Sequence, residues 1–211
     1  MPISRRSMLK TTVAAATLAS VGLPSFAQEI DELVIAYNVN LPSWDPTVGP
    51  SAVNPTIQGL YQSVFDNFIP QNTDLSFGQG LVTDWGWKDD LSQIWMDVRE
   101  GVTWHNGDPF TAEDVAWSLQ RAADPATGNP IQFIWGKVEN ITAEGNRVTA
   151  DVKEYEPTFF KWMSFLTGYV MPKKYMEEVG AEGFEAAPIG TGPYMVERFE
   201  RNAFVRLTAN E

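Results

Sequence analysis

The only histidine of the chain, His105, lies in a stretch of residues that could do chemistry, VREGVTWHNGDPFTAEDV, residues 98–115. Asp108, Glu113 and Asp114 follow it closely along the chain. Imidazole and carboxylate groups are common ligands of zinc and common general acids and bases in enzymes. A complete site of this kind would indicate an enzyme. Whether the sequence contains the further ligands or catalytic residues that such a site needs therefore decides how the protein is classified.

The same residues also fit a strand, a turn and the start of a helix. Ile94–Val98 alternates apolar and polar side chains, which predicts a strand with one buried face. The Asn106–Gly107 pair predicts a type I′ turn, in which both central residues have positive φ. Thr111 and Asp114 have the spacing of a capping box. Glu113 would then lie in the first helical turn, where the helix dipole favours negative charge.

A catalytic or metal-binding role would need partners that the sequence does not contain. The chain has one histidine and no cysteine, so a zinc site of the usual nitrogen and sulfur type cannot be completed. A serine or cysteine triad needs a positioned base, and His105 is the only candidate. We therefore predict no catalytic residue, no metal and no cofactor. We expect His105 to have a structural role, with little loss of stability in a His105→Ala variant.

Residues 1–27 have the composition of a cleavable export signal. The basic pair Arg5–Arg6 precedes a weakly apolar run, residues 11–23, and Ser25-Phe26-Ala27 has small residues where a cleavage site needs them. The paired arginines resemble a twin-arginine signal, with Met8 where the usual pattern has phenylalanine. The apolar run is too short and too polar for a permanent transmembrane helix. We expect a periplasmic protein without a direct membrane anchor.

Charge and cysteine content exclude several functions. The net charge is −12, and residues 1–27 carry three basic and no acidic residues, so it becomes −15 without them. An acidic surface repels phosphate backbones and anionic lipids, which argues against nucleic acid and membrane-surface partners. Without cysteine there is no disulfide, iron–sulfur cluster or lipid-anchored thiol. A redox enzyme exported with its cofactor would also need a glycine-rich nucleotide motif, which the sequence lacks.

Short helices and strands are interspersed along the chain, which predicts an α/β or α+β protein. The turn Gly190–Pro193 is expected to be structural, because a phosphate loop needs a lysine and a following helix. The other predicted elements are a buried strand at Leu33–Tyr37, a helix capped by Asn54, a strand pair at 138–142 and 147–152, helices from Pro157 and from Pro172 to Gly180, and a hairpin of 194–199 with 203–207.

Residues 98–115 resemble the signature of family 5 extracellular solute-binding proteins, which serve ABC importers of the dipeptide, oligopeptide and nickel type. Three further stretches match that family in the expected order: Leu41–Pro46 resembles its L-x-x-x-D-P loop, Gly80–Trp85 its x-L-A-x-x-W segment, and Pro188–Tyr194 its P-V-G-T-G-P-Y segment. Trp95 and Trp104 stand where the family usually has lysine or polar residues. The matches together extend over nearly all of the chain that follows the predicted export signal.

The resemblance implies an α/β, periplasmic binding protein-like clamshell of type II with an inserted α/β subdomain, truncated before the second ligand-binding lobe. Residues 28–48 would form a first-lobe strand and cleft loop, 49–180 the inserted subdomain, and 181–211 an incomplete return to the first lobe. The implied function is capture of a small solute, a peptide by preference, and its delivery to the permease subunits of an ABC importer. The protein would act as a monomer.

The part of the cleft that this chain could line is the loop after the first strand. The predicted solute-binding residues are Asn38, Asn40, Leu41 and Trp44. Loops at the carboxyl ends of strands favour ligand sites, asparagine can bond a peptide main chain, and tryptophan offers an apolar wall. An alternative stays open, in which Trp44 is a core anchor and the asparagines only turn the chain.

Two other functions are compatible with exported proteins of this size. A carbohydrate-binding protein could stack sugar rings on some of the eight tryptophans, although most of them lie in strand or helix patterns that predict packing. A glycoside hydrolase needs only two carboxylates across a cleft. The candidate pairs are Asp89 with Asp90, Glu154 with Glu156, and Glu177 with Glu178, and neighbours this close in sequence usually occupy solvated turns or helix faces.

Overall fold

The computed structural model describes residues 32–211. Residues 37–211 form one compact unit, and 32–36 belong to a separate N-terminal unit. The predicted strand Leu33–Tyr37 is not found: the segment is irregular, and Leu33, Val34 and Ile35 are 79, 83 and 61% exposed. A strand exists only as part of a hydrogen-bonded ladder, and no strand among residues 32–211 pairs with this segment. The prediction of a buried strand is therefore wrong here.

Four antiparallel strands form the main sheet in the order β1-β2-β4-β3. Their bounds are β1 Val82–Trp87, β2 Gln93–Val98, β3 Val138–Glu144 and β4 Arg147–Val152. Ile94 and Met96 on β2 and Val148 and Ala150 on β4 are all buried. The alternation that predicted a strand with one buried face at 94–98 is thus confirmed, and the buried face covers a core.

Five α-helices accompany this sheet in the described residues: α1 Pro55–Val64, α2 Ala112–Ala123, α3 Gln132–Trp135, α4 Phe159–Trp162 and α5 Lys173–Ala186. The Asn54 side chain accepts a hydrogen bond from the Thr56 N–H, which confirms the predicted cap of α1. The helix predicted after Pro157 is a single turn. The helix predicted to end at Gly180 is interrupted there, because the φ of 68° and ψ of −178° at Gly180 are not helical, and a second helical segment follows this kink to Ala186.

A second, two-stranded sheet consists of β5 Tyr194–Glu200 and β6 Phe204–Ala209, the predicted hairpin. The buried apolar residues form two clusters. The main core lies between the four-stranded sheet and α2. The second core lies between α1, α5 and the loop of residues 38–47, called the cleft loop, and the inner side of the β5–β6 hairpin packs against it. Ile189 packs against both clusters. The segment that precedes β5 therefore lies where the two cores meet.

None of the helices described in residues 32–211 has the length and apolar character needed to cross a membrane. The predicted export signal, residues 1–27, lies outside the described part of the chain.

Candidate functional site

His105 is held by backbone groups through both ring nitrogens. Its Nδ1 accepts the Gly190 N–H at 3.1 Å, and its Nε2 lies 2.9 Å from the Gly192 carbonyl oxygen. This pair of bonds requires a neutral ring with its proton on Nε2. Burial lowers the pKa of His105, which favours the same neutral form. Neither nitrogen is left for a metal or a substrate, and residues 32–211 contain no cluster of potential metal ligands.

The turn after His105 is not the predicted type I′ turn. Of the two predicted central residues only Gly107 has positive φ, at 85°. The Gly107 N–H donates to the Trp104 carbonyl at 2.8 Å, and Thr103 and Pro109 form an isolated bridge beyond it. One left-handed glycine after a tight turn is the pattern of a bulged three-residue connection. The Asn–Gly pair predicted a turn correctly, but not its type.

Asp114 caps two helices. Its Oδ2 accepts the Thr111 N–H at 2.9 Å and the Thr111 hydroxyl at 3.2 Å, which confirms the predicted capping box at the start of α2. Its Oδ1 accepts the Lys173 N–H at 2.9 Å at the start of α5. The side chain is buried, and burial raises the pKa of Asp114 against the opposing effect of these hydrogen bonds. The sequence did not reveal the contact with the second helix, because the two residues are far apart in the chain.

The segment Gly190–Gly192 lies directly against the end of α1. The Gly192 N–H donates to the Val64 carbonyl at 3.0 Å, and Thr191 Oγ1 donates to Asp66 Oδ2 at 2.8 Å. A Cβ added at Gly190 would lie 1.9 Å from the Val64 oxygen, and one added at Gly192 would lie 2.7 Å from it. These glycines are required for close approach of backbones, and the segment is a structural turn before β5, as the sequence predicts.

The four predicted solute-binding residues occupy two kinds of position in the cleft loop, residues 38–47. Asn38 and Asn40 are exposed, whereas Leu41 is 7% and Trp44 0% exposed. The Trp44 ring packs edge-to-face against Phe199 in the second core, with 5.5 Å between ring centroids. Leu41 and Trp44 thus anchor the loop, which is the alternative that the sequence left open for Trp44. Only the two asparagines present their side chains to solvent.

An ion pair connects the cleft loop to α2. Arg121 Nη2 lies 2.5 Å from Asp45 Oδ2, and the Asp45 side chain is nearly buried. Arg121 also donates to the Thr47 hydroxyl, and its guanidinium lies 5.9 Å from the ring centroid of Trp117. The sequence did not reveal this contact, because no local pattern predicts a partner 76 residues away.

The aromatic side chains do not form an exposed row for sugar rings in the described structure. The Trp95 ring lies against Gly86, where an added Cβ would be 3.0 Å from it, and the Arg147 guanidinium lies 4.8 Å from the ring centroid. Trp104 and Trp135 are buried in the main core. The packing role that the sequence favoured for most tryptophans agrees with these positions.

The candidate carboxylate pairs occupy surface positions. Glu154 and Glu156 both pair with Lys137 at 3.1 Å. Hydrogen bonds from Thr158, with a smaller contribution from Lys137, lower the pKa of Glu156 to about 2, whereas a general acid needs a raised pKa. The other pairs lie at exposed positions: Asp89 and Asp90 in a turn, Glu177 and Glu178 on α5. No pair has the environment of a glycosidase acid.

Comparison with known proteins gives one consistent family. The family model described as "Bacterial extracellular solute-binding proteins, family 5 Middle" matches residues 77–211, more than half of the chain. A probable peptide ABC transporter periplasmic-binding protein of Sinorhizobium fredii is 27% identical over 202 residues, which covers 92% of this chain and 36% of the relative. A glutathione-binding protein of Escherichia coli is 23% identical over 204 residues, 96% of this chain and 39% of the relative.

Solved structures have the same fold. NikZ from Campylobacter jejuni, in complex with Ni(L-His), gives a TM-score of 0.74 at 22% identity over 85% of this chain and 36% of that one. A dipeptide-binding protein from Pseudoalteromonas in complex with Met-Leu gives 0.71 at 22% identity over 82% of this chain and 38% of that one. The likeness confirms the predicted periplasmic binding protein fold. The chain spans little more than a third of the length of each of these four proteins. It belongs to family 5 of the bacterial extracellular solute-binding proteins.

Proposed function

We propose that this protein is the solute-binding component of an ABC importer, and that its solute is a peptide. The family membership carries the proposal. The proposal of a peptide as the solute is supported by relatives named for peptide and glutathione binding, which match over more than nine tenths of this chain. The protein captures the peptide in the periplasm as a monomer and delivers it to the permease subunits.

The cleft loop supplies one side of the proposed site. Asn38 and Asn40 are exposed, and an asparagine amide offers both donors and an acceptor to a peptide main chain. Leu41 and Trp44 support the loop from the second core. The remaining contacts would come from the second lobe of the whole protein, which closes on the solute by a hinge motion.

A non-enzymatic role agrees with the geometry of the described residues. His105 is bound through both ring nitrogens, and Glu156 has a lowered pKa. Binding and delivery of a solute need neither a nucleophile nor an activated acid. A carbohydrate-binding protein or a glycoside hydrolase is the alternative. Turnover of chromogenic glycosides by the purified protein would contradict the binding role and support the glycoside hydrolase.

Thermal denaturation of the full-length protein tests the choice of solute. The ligands to compare are reduced glutathione, the dipeptide Met-Leu, nickel with histidine, and an oligosaccharide. A ligand present at about 100 times its Kd adds about 2.7 kcal/mol of stability, which gives a readily measured shift in Tm. We expect a shift with a peptide. A shift with only the metal complex or only the oligosaccharide would contradict the peptide assignment.

A further inference from the structure

Side chains from four separate elements hold the cleft loop. Tyr61 on α1 donates its hydroxyl to the Ser43 carbonyl oxygen at 2.7 Å. Arg201, between β5 and β6, donates to the Pro42 carbonyl oxygen at 2.7 Å. The ion pair with α2 described above is the third contact. The fourth is Glu185, near the C-terminal end of α5. The loop is therefore fixed from several directions, although it contains no helix or strand of its own up to residue 47.

The Glu185 carboxylate collects donors from three consecutive residues of the loop. Its Oε1 accepts the Ser43 hydroxyl. The Trp44 N–H lies 3.0 Å from Oε1 and 2.9 Å from Oε2. The Asp45 N–H lies 3.4 Å from Oε1 and donates at 3.0 Å to Ser43 Oγ, which itself donates to Glu185. Consecutive backbone N–H groups that turn towards one point form a concave site for an anion. A glutamine at this position would have only one acceptor oxygen, and its NH₂ group would face other donors without being able to accept from them. The arrangement therefore favours a glutamate over a glutamine.

The position of Glu185 in its helix is unfavourable for a negative charge. Glu185 lies in the last turn of α5, where the helix dipole disfavours a carboxylate. It is also half-buried, so part of its hydration is lost. Hydrogen bonds from a serine hydroxyl and two backbone N–H groups offset both effects. The carboxylate is thus directed at the cleft loop.

We propose that Glu185 is a positioning residue for solute binding, which holds the backbone of Ser43–Asp45 and so sets the place of Asn38 and Asn40. The asparagines are at the exposed end of the same loop, and Trp44 anchors its buried end. A loop that is ordered before the solute arrives loses less conformational entropy on binding. The link to affinity rests on the proposed peptide-binding function, whereas the link to loop order does not.

Amide hydrogen exchange in the full-length protein tests the structural step without any ligand. Glu185→Gln keeps the size of the side chain and removes the charge, and Glu182→Gln on the exposed part of the same helix is the matched control. We expect exchange at Trp44 to accelerate by about tenfold or more in Glu185→Gln, and exchange at Asp45 to accelerate less, because its N–H also donates to Ser43 Oγ. Exchange in β2 and β4 should stay unchanged, and the control should behave as wild type. Unchanged exchange at both loop amides would overturn the proposal.

A milder variant covers the case in which Glu185→Gln does not fold. Ser43→Ala removes the hydroxyl that donates to Glu185 and that accepts the Asp45 N–H at 3.0 Å, and it leaves the Trp44 N–H on the carboxylate. The informative amide is that of Trp44, because Asp45 also loses its bond to the Ser43 hydroxyl, and a smaller acceleration at Trp44 supports the proposal. The absence of any local change in Ser43→Ala would contradict it.

Isothermal titration with reduced glutathione and with Met-Leu tests the functional step. We expect Glu185→Gln to weaken the binding of whichever probe the wild type takes by about tenfold, the loss typical of one charge-assisted hydrogen bond. Glu182→Gln should bind as the wild type does. Unchanged affinity despite faster exchange would overturn the positioning role. A wild type that binds neither probe would contradict the proposed peptide function, and the exchange result would then decide alone whether Glu185 holds the loop.

Discussion

Residues 98–115, which connect β2 to α2, and the cleft loop are both largely irregular, yet different kinds of contact hold them. The first is organised largely by neighbours in sequence, such as the pairs Trp104 with Gly107 and Thr111 with Asp114. The cleft loop is held by Arg121 and by Glu185, which lies 140 to 142 residues away in the chain. Local contacts form wherever the sequence places them. Distant contacts depend on the whole fold, so the two segments should respond differently to mutation.

The largest effect is expected at the Gly190–Gly192 turn, which holds His105 and lies against the end of α1. Gly192→Val places a Cβ 2.7 Å from the Val64 carbonyl oxygen, which is too close for a non-bonded contact. To relieve this clash, the backbone at the end of α1 or the backbone before β5 would have to move. We expect little or no soluble folded protein. Gly59→Ala is the control, because its Cβ would meet only the Tyr37 hydroxyl at 3.8 Å and alanine favours a helix. A Gly192→Val variant that folds and melts normally would show that the contact is not required.

The buried anchor of the cleft loop gives the next largest effect. Trp44→Ala should lower the free energy of unfolding by about 3–5 kcal/mol, the usual range for a buried aromatic residue. The double variant Asn38→Ala with Asn40→Ala should change it by less than about 0.5 kcal/mol, because both side chains are exposed. Chemical denaturation of the full-length protein measures both. The asparagine variant should lose affinity for the solute without losing stability. A large stability loss in the asparagine variant would contradict their assignment to the solute.

Asp114 and Thr111 test the segment that is organised locally. Thr111→Ala should cost roughly 0.5–2 kcal/mol, the range for loss of an N-cap. Asp114→Ala should cost more, about 2–4 kcal/mol, because it leaves partly buried N–H groups at the starts of two helices unpaired. Equal losses in the two variants, measured by urea denaturation, would mean that the bond to Lys173 contributes nothing.

His105→Ala should have a smaller effect than Asp114→Ala, and its pH dependence is the sharper measurement. The sequence predicted little loss of stability in His105→Ala, but the two bonds to the Gly190–Gly192 turn raise the expected loss to about 1–2 kcal/mol at neutral pH. The pKa of the folded state lies below the ordinary 6.5, so the unfolded chain binds the proton first as the pH falls. The advantage of the wild type over His105→Ala should therefore shrink below pH 6.5. A constant difference between pH 8 and pH 5 would show that the ring is not held in its neutral form.

The sequence determined the elements whose causes lie within a few residues. The caps at Asn54 and Thr111, the alternation at 94–98 and the hairpin at 194–209 are set by backbone hydrogen bonding and side-chain period, and the structure shows them all. The motifs also carried the family and its fold. These features need no knowledge of the rest of the chain.

The tertiary structure decided everything that depends on which distant segments meet. It placed Trp44 in the core instead of on a surface, attached His105 to Gly190 and Gly192, and set Asp114 between two helices. It also left Leu33–Tyr37 without a partner strand among the described residues, although the run has the composition of a strand. A side chain's composition and spacing limit what it can bond, but burial and partner are properties of the packed chain, and these decide which bond it makes.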